Sequence, residues 1–370
     1  MRHDAEHLKH IGEAFELPGD FISAEPYGSG HINDTYLARR MVDGHLRDFI
    51  HQRINHLIFK DPPQLMENIA RVTAHLRAKI AQRPDAEPDR ETLTVLPTRD
   101  GAPFFQDAQG CFWRTYLFIN DAATFDICPG ADYARETAHA FGRFQADLAD
   151  LPGERLHETI PWFHHTPHRF ADLEAAIARD VAGRADGAAR EIDFCLQRRP
   201  QTTVITDLME QGAIPERIAH NDTKLNNVMI DNRTGRGICV IDLDTVMSGC
   251  VLYDFGDMVR STTRTGNEDE RDLRVVNFDL SLFEALSQGY LTAVGHVLND
   301  AEREHLAFAG RLVTMTIGIR FLTDYLDGDR YFKTHRPGQN LDRTRVQFKM
   351  LENMEQAYDR MRHIIDAQRH

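Results

Sequence analysis

An acid, a lysine, an amide and two further carboxylates are brought together by the run His220-Asn221-Asp222-Thr223-Lys224-Leu225-Asn226-Asn227 and, shortly after it, Ile241-Asp242-Leu243-Asp244. A hydroxyl is a poor nucleophile until a base orients it and takes its proton, and Asp222 is the candidate for that task. Lys224 offers a cation to a phosphoryl group in flight. Asn227 lies five residues after Asp222, on the far side of the same loop. Its amide oxygen, with Asp242 as the principal carboxylate, suits Mg²⁺, a hard cation that prefers oxygen ligands. Asp244 is two residues further on, and on a strand that spacing puts both carboxylates on one face. It is then either a second metal ligand or the group that orients Lys224. Transfer of a phosphoryl group from ATP to an alcohol uses this set of parts.

A second candidate lies near the start of the chain, at Gly28-Ser29-Gly30-His31-Ile32-Asn33. Gly28 and Gly30 would let backbone N–H groups approach phosphate oxygens without steric conflict, with Asn33 or Thr35 adding a donor. The spacing is not that of a dinucleotide fingerprint, and no βαβ unit follows it. His164, His165 and His168 invite a metal reading. No cysteine is near, however, and Thr166-Pro167 reads as the opening of a helix, so a solvated or capping role is expected.

These residues need elements to carry them. Thr35–Ala38 and Asp48–Ile54 read as two strands joined by the turn signal Asp43-Gly44. Apolar residues at Leu65, Ile69, Val72 and Leu76 predict a helix over Gln64–Ile80. Thr92–Pro97 and the aromatic-rich run Cys111–Ile119 predict further strands. From Tyr133 the pattern turns helical, with helices expected over Phe170–Val181, Ile192–Arg199, Thr202–Glu210, Leu282–Leu298 and Glu304–Leu326. The exception is Arg217–Leu243, where short apolar runs and the turn Asp231–Gly235 predict strands carrying the central motif. The reading is an α+β chain: a small antiparallel β-rich lobe with one helix over residues 1–120, and an α-rich lobe over residues 121–370.

Composition narrows the function further. A formal net charge of −14 over 370 residues argues against nonspecific binding to nucleic acid or to an anionic membrane. No stretch is expected to cross a bilayer, and the acidic N-terminus has no apolar signal core. Five scattered cysteines without a CxxC pair suggest neither zinc nor disulfides. A cytoplasmic enzyme, monomeric or weakly dimeric, is expected.

The central loop, with Asp242 after it, resembles the catalytic and metal loops of the protein-kinase-like superfamily. The similarity is greatest to the branch of aminoglycoside phosphotransferases and choline kinases, and within it to the N-acetylhexosamine 1-kinases. Thr166–Phe170, Asp254-Phe255-Gly256-Asp257, and Arg320–Leu322 with Asp324–Leu326 extend the resemblance over nearly the whole chain. It implies a two-lobed kinase-like fold, ATP as co-substrate, Asp222 as base, Asn227 and Asp242 on Mg²⁺, Lys224 near the γ-phosphate, and Asp254 bracing the catalytic loop. It implies an acceptor site on the α-rich lobe with His31, Arg320, Asp324 and Tyr325 beside Asp222, and a GlcNAc or GalNAc sugar phosphorylated at its anomeric hydroxyl. The chain departs from the pattern twice. Gln52 stands where the third strand of a kinase carries a lysine, which leaves Glu67 without its usual partner, and Asn221 replaces a glycine. The same fold acting on choline, an aminoglycoside or homoserine is the competing enzymatic reading, and a nucleotide-binding pseudokinase is the non-enzymatic one.

Overall fold

The computed structural model describes residues 4–28 and 32–368, so the expected roles of Gly30 and His31 lie outside the described residues. The elements run α1 (Ala5–Glu13), β1 (Asp20–Pro26), β2 (Asp34–Val42), β3 (His45–Ile54), α2 (Pro62–Ile80), α3 (Pro88–Glu91), β4 (Val95–Leu96), β5 (Phe105–Gln106) and β6 (Phe112–Leu117). They continue with β7 (Ala122–Ala123), α4 (Ala131–Leu148), α5 (Thr166–Arg179), α6 (Ala189–Gln197), α7 (Val204–Glu210), β8 (Arg217–Ala219), β9 (Val228–Asp231), β10 (Gly237–Val240) and β11 (Met247–Gly249). The last are α8 (Val251–Thr262), α9 (Leu280–Val294), α10 (Asp300–Leu326), α11 (Gln339–Gln356) and α12 (Tyr358–Ala367). Contacts divide the chain into one unit of Met1–Ala122, Asp150–Ile160 and Ile238–Met247, and another of Ala123–Ala149, Pro161–Gly237 and Ser248–His370.

The first unit is built on a six-stranded sheet in the order β1-β2-β3-β6-β4, with β5 also on β6. Its β1–β2, β2–β3, β3–β6, β4–β6 and β5–β6 pairs are antiparallel. The Asp43-Gly44 signal closes the β2–β3 hairpin where Val42 faces His45. Both turn residues have positive φ, 50° and 78°, as the two-residue turn that matches strand twist requires. Leu8 and Ile11 of α1, an element the sequence reading did not anticipate, pack with Phe15, Tyr36 and Trp113.

Helix α2 begins at the Asp61 cap and buries Leu65, Met66, Ile69, Val72, Leu76 and Ile80, close to the expected spacing. Its buried Asn68 is the fastener for the two segments that join this unit from later in the chain. The side-chain amide donates to the carbonyls of His157 (2.8 Å) and Val246 (3.2 Å), and its oxygen accepts the His157 N–H (2.9 Å). Glu67 does have a partner, His157, at 2.9 Å, rather than a cation on β3.

The second unit is helical. In α8 every residue from Val251 to Thr262 is buried, including the polar Asp254, Asp257 and Arg260 that recur at every third position, so its polar face turns to protein and not to solvent. It crosses α10 closely: a Cβ at Gly256 would lie 2.5 Å from the Ala309 carbonyl oxygen. Gly289 of α9 is similarly constrained, 2.0 Å from the Arg135 carbonyl oxygen of α4. Helix α10, 27 residues long, is long and apolar enough to cross a membrane by length and composition, contrary to the sequence expectation. Most of that stretch is buried inside the protein, packed against α5, α8 and α11. Strand β10 ends at Val240, and Leu243–Thr245 is a short 3₁₀ turn, so Asp242 and Asp244 are not alternate residues of a strand.

The Gly256 contact yields a prediction. Gly256→Ala gains helix propensity but forces a methyl against the α10 backbone. It should lower the unfolding free energy by roughly 1–3 kcal/mol, read from urea denaturation. Unchanged stability would mean that α8 and α10 have more room than this crossing gives them.

Candidate functional site

The Asp222 loop is held from below by Asp254. This carboxylate, fully buried on α8, accepts the backbone N–H groups of His220 (2.8 Å) and Asn221 (2.7 Å) and the side-chain amide of Gln145 (2.6 Å). The Asp254 carbonyl accepts the Thr223 hydroxyl at 2.6 Å. Burial pushes the Asp254 carboxyl up, against the pull of His220 and of these donors. The brace expected of Asp254 is present. Gln145 and Tyr290, whose hydroxyl donates to Gln145 at 2.5 Å, complete the brace from α4 and α9 and carry no motif of their own.

Asn221 sits at φ 65°, in the left-handed region. That explains why the position suits either glycine or asparagine: glycine has no Cβ to clash, and asparagine tolerates the left-handed well better than most residues. The Asn221 carbonyl then meets His164 Nε2 at 2.7 Å. A carbonyl only accepts, so Nε2 carries the proton and His164 is the neutral tautomer. Burial lowers its pKa to about 4, against opposing pulls from Asp257 and Asp222. In the same histidine-rich segment, His165 caps α5, its Nδ1 accepting the His168 N–H at 3.1 Å. The capping expectation holds for His165, whereas His164 is buried rather than solvated.

The acid itself is partly exposed. Lys224 Nζ lies 3.1 Å from Asp222 Oδ2. The Asn227 amide nitrogen donates to the Asp222 carbonyl (2.8 Å) and to Oδ2 (3.2 Å). Burial raises the Asp222 pKa, but Lys224, His220 and Arg260 outweigh it and the group is held below its ordinary value. Among the described residues no hydrogen bond occupies the Asn227 Oδ1 oxygen, so it can serve a hard cation.

In the other unit Asp242 is exposed and adopts φ 59°, ψ 58°, a conformation that turns the chain sharply before the 3₁₀ turn. Its exposed carboxylate is the kind of oxygen donor that a hard cation takes. Asp244 fits less well: it is buried, with Oδ1 on Arg114 (2.5 Å) and Oδ2 on the Asn33 amide (2.6 Å). Its expected role as a second ligand or as a partner of Lys224 gives way to a pairing within its own unit. Asn33 also accepts the Asn55 N–H at 2.9 Å, and so ties a loop instead of offering a free donor. Gln52 is similarly engaged, donating to Thr35 Oγ1 (2.9 Å) and accepting from Arg114 (2.6 and 2.9 Å). Gly28 has φ 76° and open space where a Cβ would stand. Among the described residues no group of three or more His, Cys, Asp or Glu could hold a metal. Any divalent ion would thus need oxygens from a substrate as well, as Mg²⁺ commonly does with nucleotides.

The residues expected at the acceptor separate. Arg320 lies over the Phe163 ring at 4.6 Å, with the Phe332 and Tyr331 rings at 5.5 and 5.7 Å. Burial lowers its pKa, while Tyr331 and Asp222 pull it back. Asp324 is buried and organises a loop instead. Its carboxylate accepts the N–H groups of Arg330 (2.8 Å), Tyr331 (2.7 Å) and Phe332 (3.0 Å) and the Asn340 amide (2.8 Å). It thereby sets the two aromatic residues that flank Arg320. The Tyr325 ring is covered by the Arg184 guanidinium at 4.7 Å.

The neutral state of His164 gives a pH prediction. The unfolded chain binds a proton at this group near pH 6.5 and the folded chain only near 4, so stability is complete above pH 6.5 and is lost as pH falls toward 4. The loss is on the order of 3 kcal/mol at most. His164→Gln keeps an N–H donor and removes the titration. It should flatten the decline in urea-unfolding free energy between pH 7 and pH 5, and an equal slope in both proteins would refute the assignment.

Solved structures similar to this chain include the microcompartment-associated aminopropanol kinase, with a TM-score of 0.58, 18% identity, and 97% of this chain and 98% of that chain covered. Choline kinase from Cryptosporidium parvum matches with a TM-score of 0.59 and 12% identity, over 98% and 99% of the two chains. An aminoglycoside phosphotransferase from Alicyclobacillus acidocaldarius matches with a TM-score of 0.59 and 11% identity, over 97% and 96%. At these identities the likeness is one of fold, and the fold is the protein-kinase-like one, an antiparallel-sheet region followed by a helical lobe. Residues 23–291 match the phosphotransferase enzyme family, and the chain therefore belongs to that family of small-molecule phosphotransferases.

Proposed function

We propose that this phosphotransferase moves the γ-phosphoryl group of ATP to the anomeric hydroxyl of an N-acetylhexosamine, GlcNAc or GalNAc, and releases the sugar 1-phosphate. What supports a neutral acceptor over a cationic one is Arg320. A quaternary or primary ammonium substrate is recognised by aromatic faces and carboxylates. Here the faces of Phe163, Tyr331 and Phe332 already surround a cation that belongs to the protein. Lys224 and Arg260 add positive charge around Asp222. A choline-like alcohol would meet like charge, whereas a sugar offers hydroxyl and acetamide oxygens that a guanidinium can serve. Trp162, about half exposed, supplies an aromatic face of the kind sugars pack against.

In this reading Asp222 receives the proton of the attacking hydroxyl. Its depressed pKa keeps it ionised at neutral pH, and the loose transition state of phosphoryl transfer asks little of the base. Lys224 neutralises charge on the moving group and steadies Asp222. The Asn227 Oδ1 oxygen and the Asp242 carboxylate are the proposed Mg²⁺ ligands, with Mg²⁺ supplying charge neutralisation on the phosphates. Asp254 holds the loop that carries Asp222, Lys224 and Asn227.

Asp222→Ala should reduce turnover by ~10²-fold or more, the scale of general-base effects. Asp242→Ala should cost more turnover than Arg320→Ala. Arg320→Ala should instead raise the KM for the sugar at least tenfold and leave the KM for ATP within about twofold. The deciding measurement is a coupled ADP-release assay with GlcNAc, GalNAc, unacetylated hexoses, choline and an aminoglycoside, with the phosphorylated position read by NMR. Faster turnover of choline or the aminoglycoside than of either N-acetyl sugar would overturn the choice of acceptor.

A further inference from the structure

The charge missing from β3 has a counterpart one strand away. Arg114 on β6 lies directly across from Gln52 in the β3–β6 register and is almost fully buried. Its Nε and Nη2 donate to Gln52 Oε1 (2.9 and 2.6 Å), and its Nη1 donates to Asp244 Oδ1 (2.5 Å). The guanidinium also sits over the Tyr116 ring at 5.3 Å. Gln52 passes the connection to Thr35 on β2, and Asn33 grips the second oxygen of Asp244. Three adjacent strands and the loop before β2 therefore meet at one carboxylate, in the turn that begins at Asp242. The α2 carboxylate Glu67 is engaged by His157 and takes no part.

From this arrangement, and resting on the reading that the chain handles Mg²⁺ and ATP, we infer that Arg114 is a positioning residue for the metal-binding turn. It performs from β6, on Asp244, the tethering that a strand-three lysine would perform on the α2 carboxylate. Two aspartates in one turn repel each other. The buried guanidinium offsets the charge of Asp244 and attracts Asp242 more weakly, while Asp242 stays exposed on a fixed left-handed backbone. Arg114 is too buried to reach a phosphate in this conformation, so it acts through the turn and not on the substrate.

The test compares Mg²⁺-dependent binding of a non-hydrolysable ATP analogue, by calorimetry across a Mg²⁺ series, in the full chain and its variants. Arg114→Met alone leaves Asp244 buried without its cation and can misfold. Arg114→Met/Asp244→Asn removes the pair together and keeps the fold. In the double variant the Mg²⁺ concentration for half-maximal analogue binding should rise at least tenfold, with metal-free nucleotide binding within about twofold. Arg114→Lys, which keeps the charge but loses the two-armed grip, should fall between. In steady state the same variants should raise the Mg²⁺ requirement and leave the KM for the acceptor unchanged. A double variant that folds and binds Mg²⁺-nucleotide as the parent does would overturn the inference. So would a parent whose nucleotide binding gains nothing from Mg²⁺. If Mg²⁺-dependent binding shifts as stated while no sugar is turned over, the acceptor reading fails and the role of Arg114 stands.

Discussion

The Asp222 loop of this protein depends on one fully buried carboxylate. Asp254 satisfies two consecutive backbone N–H groups in a loop that has no regular ladder of its own. Buried N–H groups without partners are costly, and so is a buried carboxylate without donors. Each removes the cost of the other, and the loop is held by that mutual need. Gln145 and Tyr290 extend the arrangement into α4 and α9, where helices approach closely enough to require glycine. The position of Asp222 is therefore inherited from helix packing and not from the loop's own sequence preferences.

The other unit solves a related problem with the opposite sign. There the buried group that gathers the elements is a guanidinium, and what it holds is the carboxylate of a turn. Both loops contain a non-glycine residue at positive φ next to, or as, the candidate acid: Asn221 before Asp222, and Asp242 itself. Such conformations persist only where the surroundings over-determine them. In both places a buried ion or ion pair does so.

Much of this could be read from the residues. The Asp43-Gly44 turn, the α2 spacing, the Asp222 loop and the brace at Asp254 were all visible, because each rests on local chemistry or on a motif. The failures have physical causes. Helix α8 carries polar residues at every third position, but they are buried with the rest of it, so they do not mark a solvent face. Asp242 and Asp244 looked like strand neighbours because alternation is the commonest reason for two like residues two apart. A left-handed residue ends the strand first, and propensity does not announce it. The pairings of Glu67 with His157 and of Arg114 with Asp244 join residues 90 and 130 positions apart, beyond any local pattern. The one available clue was an arginine set within the aromatic strand Phe112-Trp113-Arg114-Thr115-Tyr116, where a buried charge must have a counter-ion somewhere.

That distance also bears on how the chain is made. As synthesis proceeds from the N-terminus, the whole β-sheet emerges well before the turn that completes it. Until residue 247 is available, Arg114 has no carboxylate and Asn68 lacks the Val246 carbonyl. The nascent sheet would have to keep its guanidinium wet, and so its interior open, while more than a hundred further residues are added. The sheet-bearing unit should thus mature late, after nearly half of the helical unit has already been translated, even though most of it is encoded first.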